Sequence, residues 1–210
     1  MKFLKLLEKS YNNSYKADKM NITKNEFPNI NTERLFLREI NLNDARTLFQ
    51  YWSDDEVTKY LNIDSFINIG QALNMIRLLK SLFPRKEGIR WVIVRKEDNA
   101  VIGTCGFNSW IKKSSRGEIG YELGRKYWEN GYASEALSEI IEYGFNVMEL
   151  NRIEAFTVPE AIRSINLLKK FGFKKEGILR EYGYWNNQYW DENIYSLLKR
   201  DWIFQNKVND

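Results

Sequence analysis

Between residues 117 and 148 the hydrophobic period changes once, and that change limits the folds open to the chain. The run GEIGYELG alternates, with Ile119, Tyr121 and Leu123 on one side and Glu118, Gly120 and Glu122 on the other, as in a half-buried strand. Past RKYWEN and a Gly131/Ala133 turn, Ala136, Leu137, Ile140, Ile141, Gly144, Phe145 and Met148 recur at helical spacing. A strand, a tight turn and a long amphipathic helix in direct succession call for a sheet with a helix laid against it.

The remaining segments extend this pattern. RLFLREI alternates as a strand, and NLNDARTLFQYWSD reads as a helix entered through Asn43 or Asp44. Leu73, Ile76, Leu79 and Leu82 mark a second helix. RWVIVRK and VIGTCGFNSWI read as a hairpin around EDNA. RIEAFTV is a strand, and AIRSINLLKKFGF is a helix ended by Lys169, Lys170 and Gly172. FKKEGILREYGYW and YWDENIYSLLKRDWI close the chain as two strands, with NNQ as the turn. The order is a strand, two helices, a three-strand meander and then αβαββ. It gives one α/β (α+β) domain over residues 31–204, with a mixed, mainly antiparallel sheet flanked by helices. Residues 1–30 are polar, rich in Asn and Lys, and without period. They read as an extension, in which Phe3, Leu6, Leu7 and Tyr11 can form one short helix; it is a tail, a lid or a dimer arm.

Composition excludes several chemistries. The chain of 210 residues has no histidine, which removes Ser-His and Cys-His catalysis and every His-ligated metal. Its single cysteine, Cys105, allows no internal disulfide and sits in a strand as a small core residue. With no Cys/His cluster, no metal is expected. The net charge of +4 comes from 32 bases and 28 acids spread along the chain, too weak and diffuse to indicate nucleic acid. No apolar run reaches the roughly 18 residues of a membrane helix. The start, MKFLKLLEKSYNN, is interrupted by Lys5 and Glu8 and is not a secretory signal, so the expected compartment is the cytoplasm. An aromatic content of 15% leaves two readings, aromatic strands in the core or an aromatic-walled ligand groove.

The turn before the long helix offers a site. The first turn of a helix carries backbone N–H groups without intrahelical partners, and these together with the macrodipole attract anions. Gly131 permits close approach, Ala133 leaves room, and Ser134 can cap. No Gly-Lys-Ser/Thr follows, so this is not a P-loop, and it is not a dinucleotide fingerprint. Spacing alone also fits a plain tight connection.

YWENGYASEAL resembles the cofactor loop of the GNAT N-acetyltransferase superfamily, whose motif runs Arg/Gln-x-x-Gly-x-Gly/Ala. Gly131 and Ala133 fill the last two slots, and Trp128 falls on the first, as in the RimJ/RimL branch. TERLFLREI, IGYEL, NRIEAFTV, SINLLKKFGFKKEGILREY and DENIYSLLKRDW resemble further segments of that branch, in order, from residue 27 to 202. The resemblance implies a sheet splayed between its fourth and fifth strands, with acetyl-CoA in the splay. The pyrophosphate would lie on the N–H groups of Glu129, Asn130, Gly131, Tyr132, Ala133 and Ser134. The pantetheine arm would pair with the strand edge at Tyr121 and Leu123. The branch acetylates N-terminal amines of ribosomal proteins, among other amines. This chain is expected to be a monomer or a homodimer. Two departures stand out: Glu129 where the family often has Gly, and Ala161 where it tends to have Asn ahead of Ser164. Glu129 is expected to face solvent, with Arg125 or Lys126 offsetting its charge.

Acetyl transfer to an amine needs a neutral nitrogen, donors for the tetrahedral oxyanion and a proton for the leaving thiolate. It needs no covalent enzyme intermediate. The base is expected to be Glu118, where the family often carries a carboxylate, or else Glu122; both can equally be solvated or salt-bridged strand residues. The resemblance gives the Leu123 N–H as oxyanion donor. Ser164 is assigned to thiolate protonation and to the cofactor, with a plain surface serine as the other reading. The acceptor pocket is implied to use Tyr51, Trp52, Tyr60, Tyr184, Trp185, Tyr189 and Trp190, with Asp54, Asp55 and Glu56 attracting a cation. The function expected is transfer of acetyl from acetyl-CoA to a primary amine, foremost a protein N-terminal α-amine. The alternatives are a small-amine acetyltransferase and a non-catalytic acyl-CoA-binding module. Neither nucleic acid nor membrane is an expected partner.

Overall fold

The structure, a computed structural model, describes residues 26–208. The helix expected from Phe3, Leu6, Leu7 and Tyr11 lies outside the described residues. Among the described residues eight strands form one sheet: β1 (Ile30–Asn31), β2 (Leu35–Glu39), β3 (Ile89–Arg95), β4 (Ala100–Ile111), β5 (Arg116–Leu123), β6 (Arg152–Thr157), β7 (Lys174–Trp185) and β8 (Gln188–Leu198). Their order across the sheet is β1-β2-β3-β4-β5-β6-β8-β7. Among the described residues six α-helices flank it: α1 (Ala45–Trp52), α2 (Asp55–Thr58), α3 (Ile69–Arg85), α4 (Tyr132–Asn146), α5 (Ile162–Lys170) and α6 (Lys199–Val208).

Every adjacent pair is antiparallel except β5–β6, which is parallel and brief. It joins Arg116 to Arg152, Gly117 to Ile153 and Glu118 to Glu154, and then stops. Beyond Glu118 and Glu154 the two strands separate, which opens a cleft in the middle of the sheet. With the two-residue β1 counted, these are the strands expected as fourth and fifth. Helix α4 follows β5 and buries its stripe of Ala136, Leu137, Ile140, Ile141, Gly144 and Phe145 on one face of the sheet. At Gly144 a Cβ would lie 2.6 Å from the Phe107 ring, so helix and sheet meet there with no space for a side chain. The turn between β7 and β8 is Asn186–Asn187, both left-handed at φ 51° and 58°. That is the two-residue turn whose twist matches a hairpin, and Asn tolerates it.

One local reading is extended and one is corrected. Asp44 is the N-cap of α1, as expected, but its side chain does not cap that helix; the side-chain cap lies further upstream. Asn41 Oδ1 accepts from the Asn43 N–H at 2.9 Å, and Asp44 Oδ2 accepts from the Asn41 N–H at 2.9 Å. This capping box closes a 3-10 turn, Leu42–Asp44, that leads into α1. The last strand ends at Leu198 rather than running on through KRDWI. Leu198 pairs with Arg152, the first residue of β6, so the chain beyond it has no ladder to join. It turns into α6 instead, where Trp202 packs on Phe145 with ring centroids 5.2 Å apart. At the other end, Phe27 lies against Trp91 with centroids 5.8 Å apart, and the Trp91 indole donates to the Pro28 carbonyl at 2.6 Å. No helix among the described residues is long and apolar enough to cross a membrane.

Candidate active site

The parting of β5 and β6 opens into a cleft of about 1230 Å³ that runs from the start of α4, through the splay, to the β7–β8 hairpin. Trp128, Glu129, Gly131, Tyr132, Ala133 and Ser134 line one end. Gly131 is the N-cap of α4, left-handed at φ 78°, and no side chain caps the helix. The N-terminal N–H groups are therefore free of internal partners, as an anion site requires. Ser134 is not the cap. Its Oγ accepts from Lys170 Nζ at 2.8 Å, which draws a cation to the same helix end.

The loop is braced by the residue just ahead of β2. Arg34 donates to the Asn130 carbonyl at 3.0 Å and to Glu135 at 2.6 Å, and its guanidinium lies 4.7 Å from the Tyr132 ring centroid. Glu129 is 76% exposed and pairs with Arg163 at 3.3 Å. The Arg163 guanidinium also lies 4.8 Å from the Trp128 ring centroid. The offsetting cation is thus Arg163 of α5; Arg125 pairs with Asp54 instead, at 3.2 Å. Glu129 is itself left-handed, at φ 63°. A non-glycine residue there costs about 1 kcal/mol, and the exposed ion pair returns little. Glu129→Gly should raise the urea midpoint of unfolding and tighten CoA binding several-fold, read by calorimetry. Weaker CoA binding in that variant would contradict an anion seated on this loop.

The splay carries the second group of residues. Tyr121 projects from β5, and its hydroxyl is 2.8 Å from Ser164 Oγ on α5. Burial pushes the Tyr121 phenol up to about 12, against a lowering by the Ser164 hydroxyl. It stays protonated near neutrality, so Tyr121 and Ser164 form a two-hydroxyl relay beside the splay. The Leu123 carbonyl accepts from the Trp128 indole at 2.8 Å, which fastens the strand end to the loop. Ala161, in the place where an Asn was looked for, is buried against Val158 and Trp185. Thr157 lines the cleft nearby, and its Oγ1 is buried without a hydrogen-bond partner among the described residues.

Strand alternation puts Glu118 and Glu122 on one face, and the structure gives them different surroundings. The Glu122 side chain is 7% exposed and ion-paired with Arg90 NH2, itself 7% exposed. Glu122 also accepts from Thr104 Oγ1 at 2.5 Å and from the Trp52 indole at 3.2 Å. Its lone pairs are committed. Glu118 is half-buried and accepts from Asn108 Nδ2 at 3.0 Å, while Asn108 Oδ1 accepts from Arg90 NH1 at 3.0 Å. Gly120 between them leaves room for this network, since a Cβ there would lie 2.6 Å from Asn108 Nδ2.

A third carboxylate, Glu192 of β8, faces the same cleft. It is 4% exposed, and its hydrogen-bond partner is Asn62 Nδ2 at 3.5 Å. Burial, and after it the charge of Glu118, raises its carboxyl above the usual carboxylate range. Gly183 makes the space, because a Cβ there would lie 2.7 Å from Glu192 Oε1. Sequence reading missed Glu192, since DENIY gives no sign of which acid turns inward; the β7–β8 register decides it.

The aromatic residues expected in the acceptor pocket divide. Trp52, Tyr60 and Trp185 line the cleft. Trp190 stacks behind Trp185 at 5.0 Å. Tyr51 is a core residue whose hydroxyl donates to the Val101 carbonyl at 2.8 Å. Tyr184 and Tyr189 point outward, 57% and 66% exposed, against each other. Of Asp54, Asp55 and Glu56, only Glu56 reaches the cleft. Cys105 is buried, and burial pushes its thiol up to about 12, so it offers no thiolate. Among the described residues no acidic or cysteine group is placed to hold a metal ion.

A profile of the acetyltransferase (GNAT) domain matches residues 34–174. The N-acetyltransferase p20 of Bacillus licheniformis is 48% identical over 171 residues, which cover 81% of this chain and 96% of that one. The [ribosomal protein uS5]-alanine N-acetyltransferase of Escherichia coli is 24% identical over 82% of this chain and 92% of its own length. Among solved structures, an acetyltransferase (GNAT family) from Bacillus anthracis superposes with a TM-score of 0.72 at 28% identity, covering 82% of this chain and 99% of that one.

Proposed function

Since the chain belongs to the GNAT acetyltransferase family, on its RimJ/RimL-like branch, and is an acetyl-CoA-dependent N-acetyltransferase, we propose that its acceptor is the N-terminal α-amine of a protein, with ribosomal proteins the foremost class. The observation that carries this reading is the kind of base the cleft provides. Its bases are carboxylates, and one of them, Glu122, is committed to Arg90. At pH 7, deprotonating a lysine side chain costs about 5 kcal/mol, against about 1 kcal/mol for an α-amine. Weakly basic carboxylates therefore have far less to supply for the second than for the first. The relative named for the alanine of ribosomal protein uS5 supports the same acceptor class, and a ribosomal acceptor would place the enzyme in the cytoplasm.

In this reading the pyrophosphate of acetyl-CoA rests on the uncapped start of α4, and Trp128 to Ser134 form its cradle. The pantetheine arm follows β5 at Tyr121 and Leu123. The Leu123 N–H faces the oxyanion, and Ser164, backed by Tyr121, returns a proton to the departing thiolate. A small polyamine is the second reading, favoured by the two carboxylates Glu118 and Glu192 that share one wall. One panel separates them: an alanyl peptide with a free N-terminus, the same peptide blocked at the N-terminus but carrying a lysine, and spermidine, with free thiol followed over time. The free peptide should release CoA and the blocked one should not. Preference for spermidine or for the lysine would overturn the α-amine reading.

A further inference from the structure

We infer that Glu192 anchors the ammonium group of the acceptor and takes its proton. The inference rests on the family activity and not on which amine is the acceptor.

A carboxylate removed from water is ordinarily matched by a cation or by several donors, because an unmatched buried charge is costly. Glu122, on the same face of the sheet, follows that rule with Arg90, Thr104 and Trp52. Glu192 does not. It is 4% exposed, it has one long contact to the Asn62 amide, and among the described residues no cation pairs with it. Its charged neighbour is another carboxylate, Glu118. Gly183 holds open the space over Oε1. The cleft around it is walled by Trp52, Tyr60, Tyr182 and Trp185, rings that attract cations as well as apolar carbon. A group lacking a cation, kept from water and facing a cleft walled by aromatic rings, is suited to receive a cation that arrives with the substrate.

The step balances as follows. The acceptor enters as R–NH3+ and passes one N–H proton to a Glu192 oxygen. The freed lone pair attacks the thioester carbonyl carbon of acetyl-CoA, and the C–N bond forms. Collapse of the tetrahedral oxyanion breaks the C–S bond. The second nitrogen proton ends on the thiolate sulfur, so the products are the amide, CoA–SH and one proton, which Glu192 releases to solvent. Burial and the Glu118 charge both make Glu192 a better proton acceptor than a solvated carboxylate.

Glu192→Gln keeps the volume and can still accept from Asn62, so it removes the charge and the basicity and little else. Each amine of the panel is assayed with wild type, Glu192→Gln and Glu192→Asp, alongside the CoA dissociation constant and Tm. The expected result is a fall in kcat/KM for the amine of about 100-fold or more in Glu192→Gln, with the amine KM raised, CoA affinity unchanged, Tm equal or higher because an unmatched buried charge is removed, and at least tenfold recovery in Glu192→Asp. A Glu192→Gln enzyme within threefold of wild type would overturn the inference, as would parallel losses of CoA affinity and Tm, which would mark a structural role. If spermidine proves to be the acceptor, the α-amine reading fails while the Glu192 contrast still stands or falls on its own. If no amine of the panel is turned over, spermidine is titrated into the protein–CoA complex: binding lost in Glu192→Gln upholds the anchor, and equal binding in both, or none by wild type, overturns it.

Discussion

Arg90→Met is expected to destabilise the fold by about 3 kcal/mol or more, the cost typical of removing one partner from a buried ion pair. The Arg90 and Glu122 side chains are each 7% exposed. Arg90 also donates to Thr104 Oγ1 at 2.8 Å and to Asn108 at 3.0 Å. Methionine fills much of the stem volume but leaves Glu122 with only the Thr104 hydroxyl and the Trp52 indole as donors. In a protein of this size the thermal midpoint should fall on the order of 10 °C. The double variant Arg90→Met/Glu122→Leu removes both charges and should recover most of that loss, since an apolar pair of similar volume can match a buried salt bridge. Urea unfolding of the two variants decides the matter. If Arg90→Met loses less than about 1 kcal/mol, the pair is not a buried, water-excluded bridge. Because Asn108 links Arg90 to Glu118, the same variant should also free the Glu118 carboxylate from its fixed position.

That network marks the limit of what residue order discloses. The apolar stripe of α4, the hairpin of β3 and β4, and the double-asparagine turn between β7 and β8 follow local periodicity and turn chemistry, and the structure contains them. The two faces of β5 were also legible. Their different fates were not: Glu122 meets Arg90 and Thr104 only through the β3–β4–β5 register, in which Thr104 pairs with both Val92 and Glu122. Glu129 shows the same boundary. Its αL position fits a family preference for glycine, but its partner is Arg163 from a helix more than thirty residues on rather than Arg125 or Lys126 beside it. The end of β8 is another case, because LLKRDWI is amphipathic enough for either element and the start of β6 at Arg152 decides. Where spacing was sufficient, the reading carried over into space. Where the answer depended on which strand lay alongside, it did not.

Gly131→Glu is expected to weaken acetyl-CoA binding by at least 100-fold, about 2.7 kcal/mol, while the protein stays folded. Gly131 sits at φ 78°, where a side chain adds about 1 kcal/mol of strain, and an ideal Cβ would lie 3.3 Å from Arg34 NH2. That contact is tight but negotiable, because the guanidinium is the far end of a flexible chain. The larger effect is electrostatic. Helix α4 begins with no side-chain cap, and the new carboxylate would take the position and the N–H groups that the pyrophosphate is proposed to use. Those same interactions favour an acidic group at a helix N-terminus, so Tm should change by only a few degrees. Gly131→Ala separates the contributions: it carries the strain without the charge and should lose less than tenfold in affinity. Calorimetric titration with CoA reads both variants. If alanine and glutamate lose equally, backbone strain is the cause. If neither loses affinity, the anion does not lie on this turn, and the cradle of Trp128 to Ser134 is misassigned.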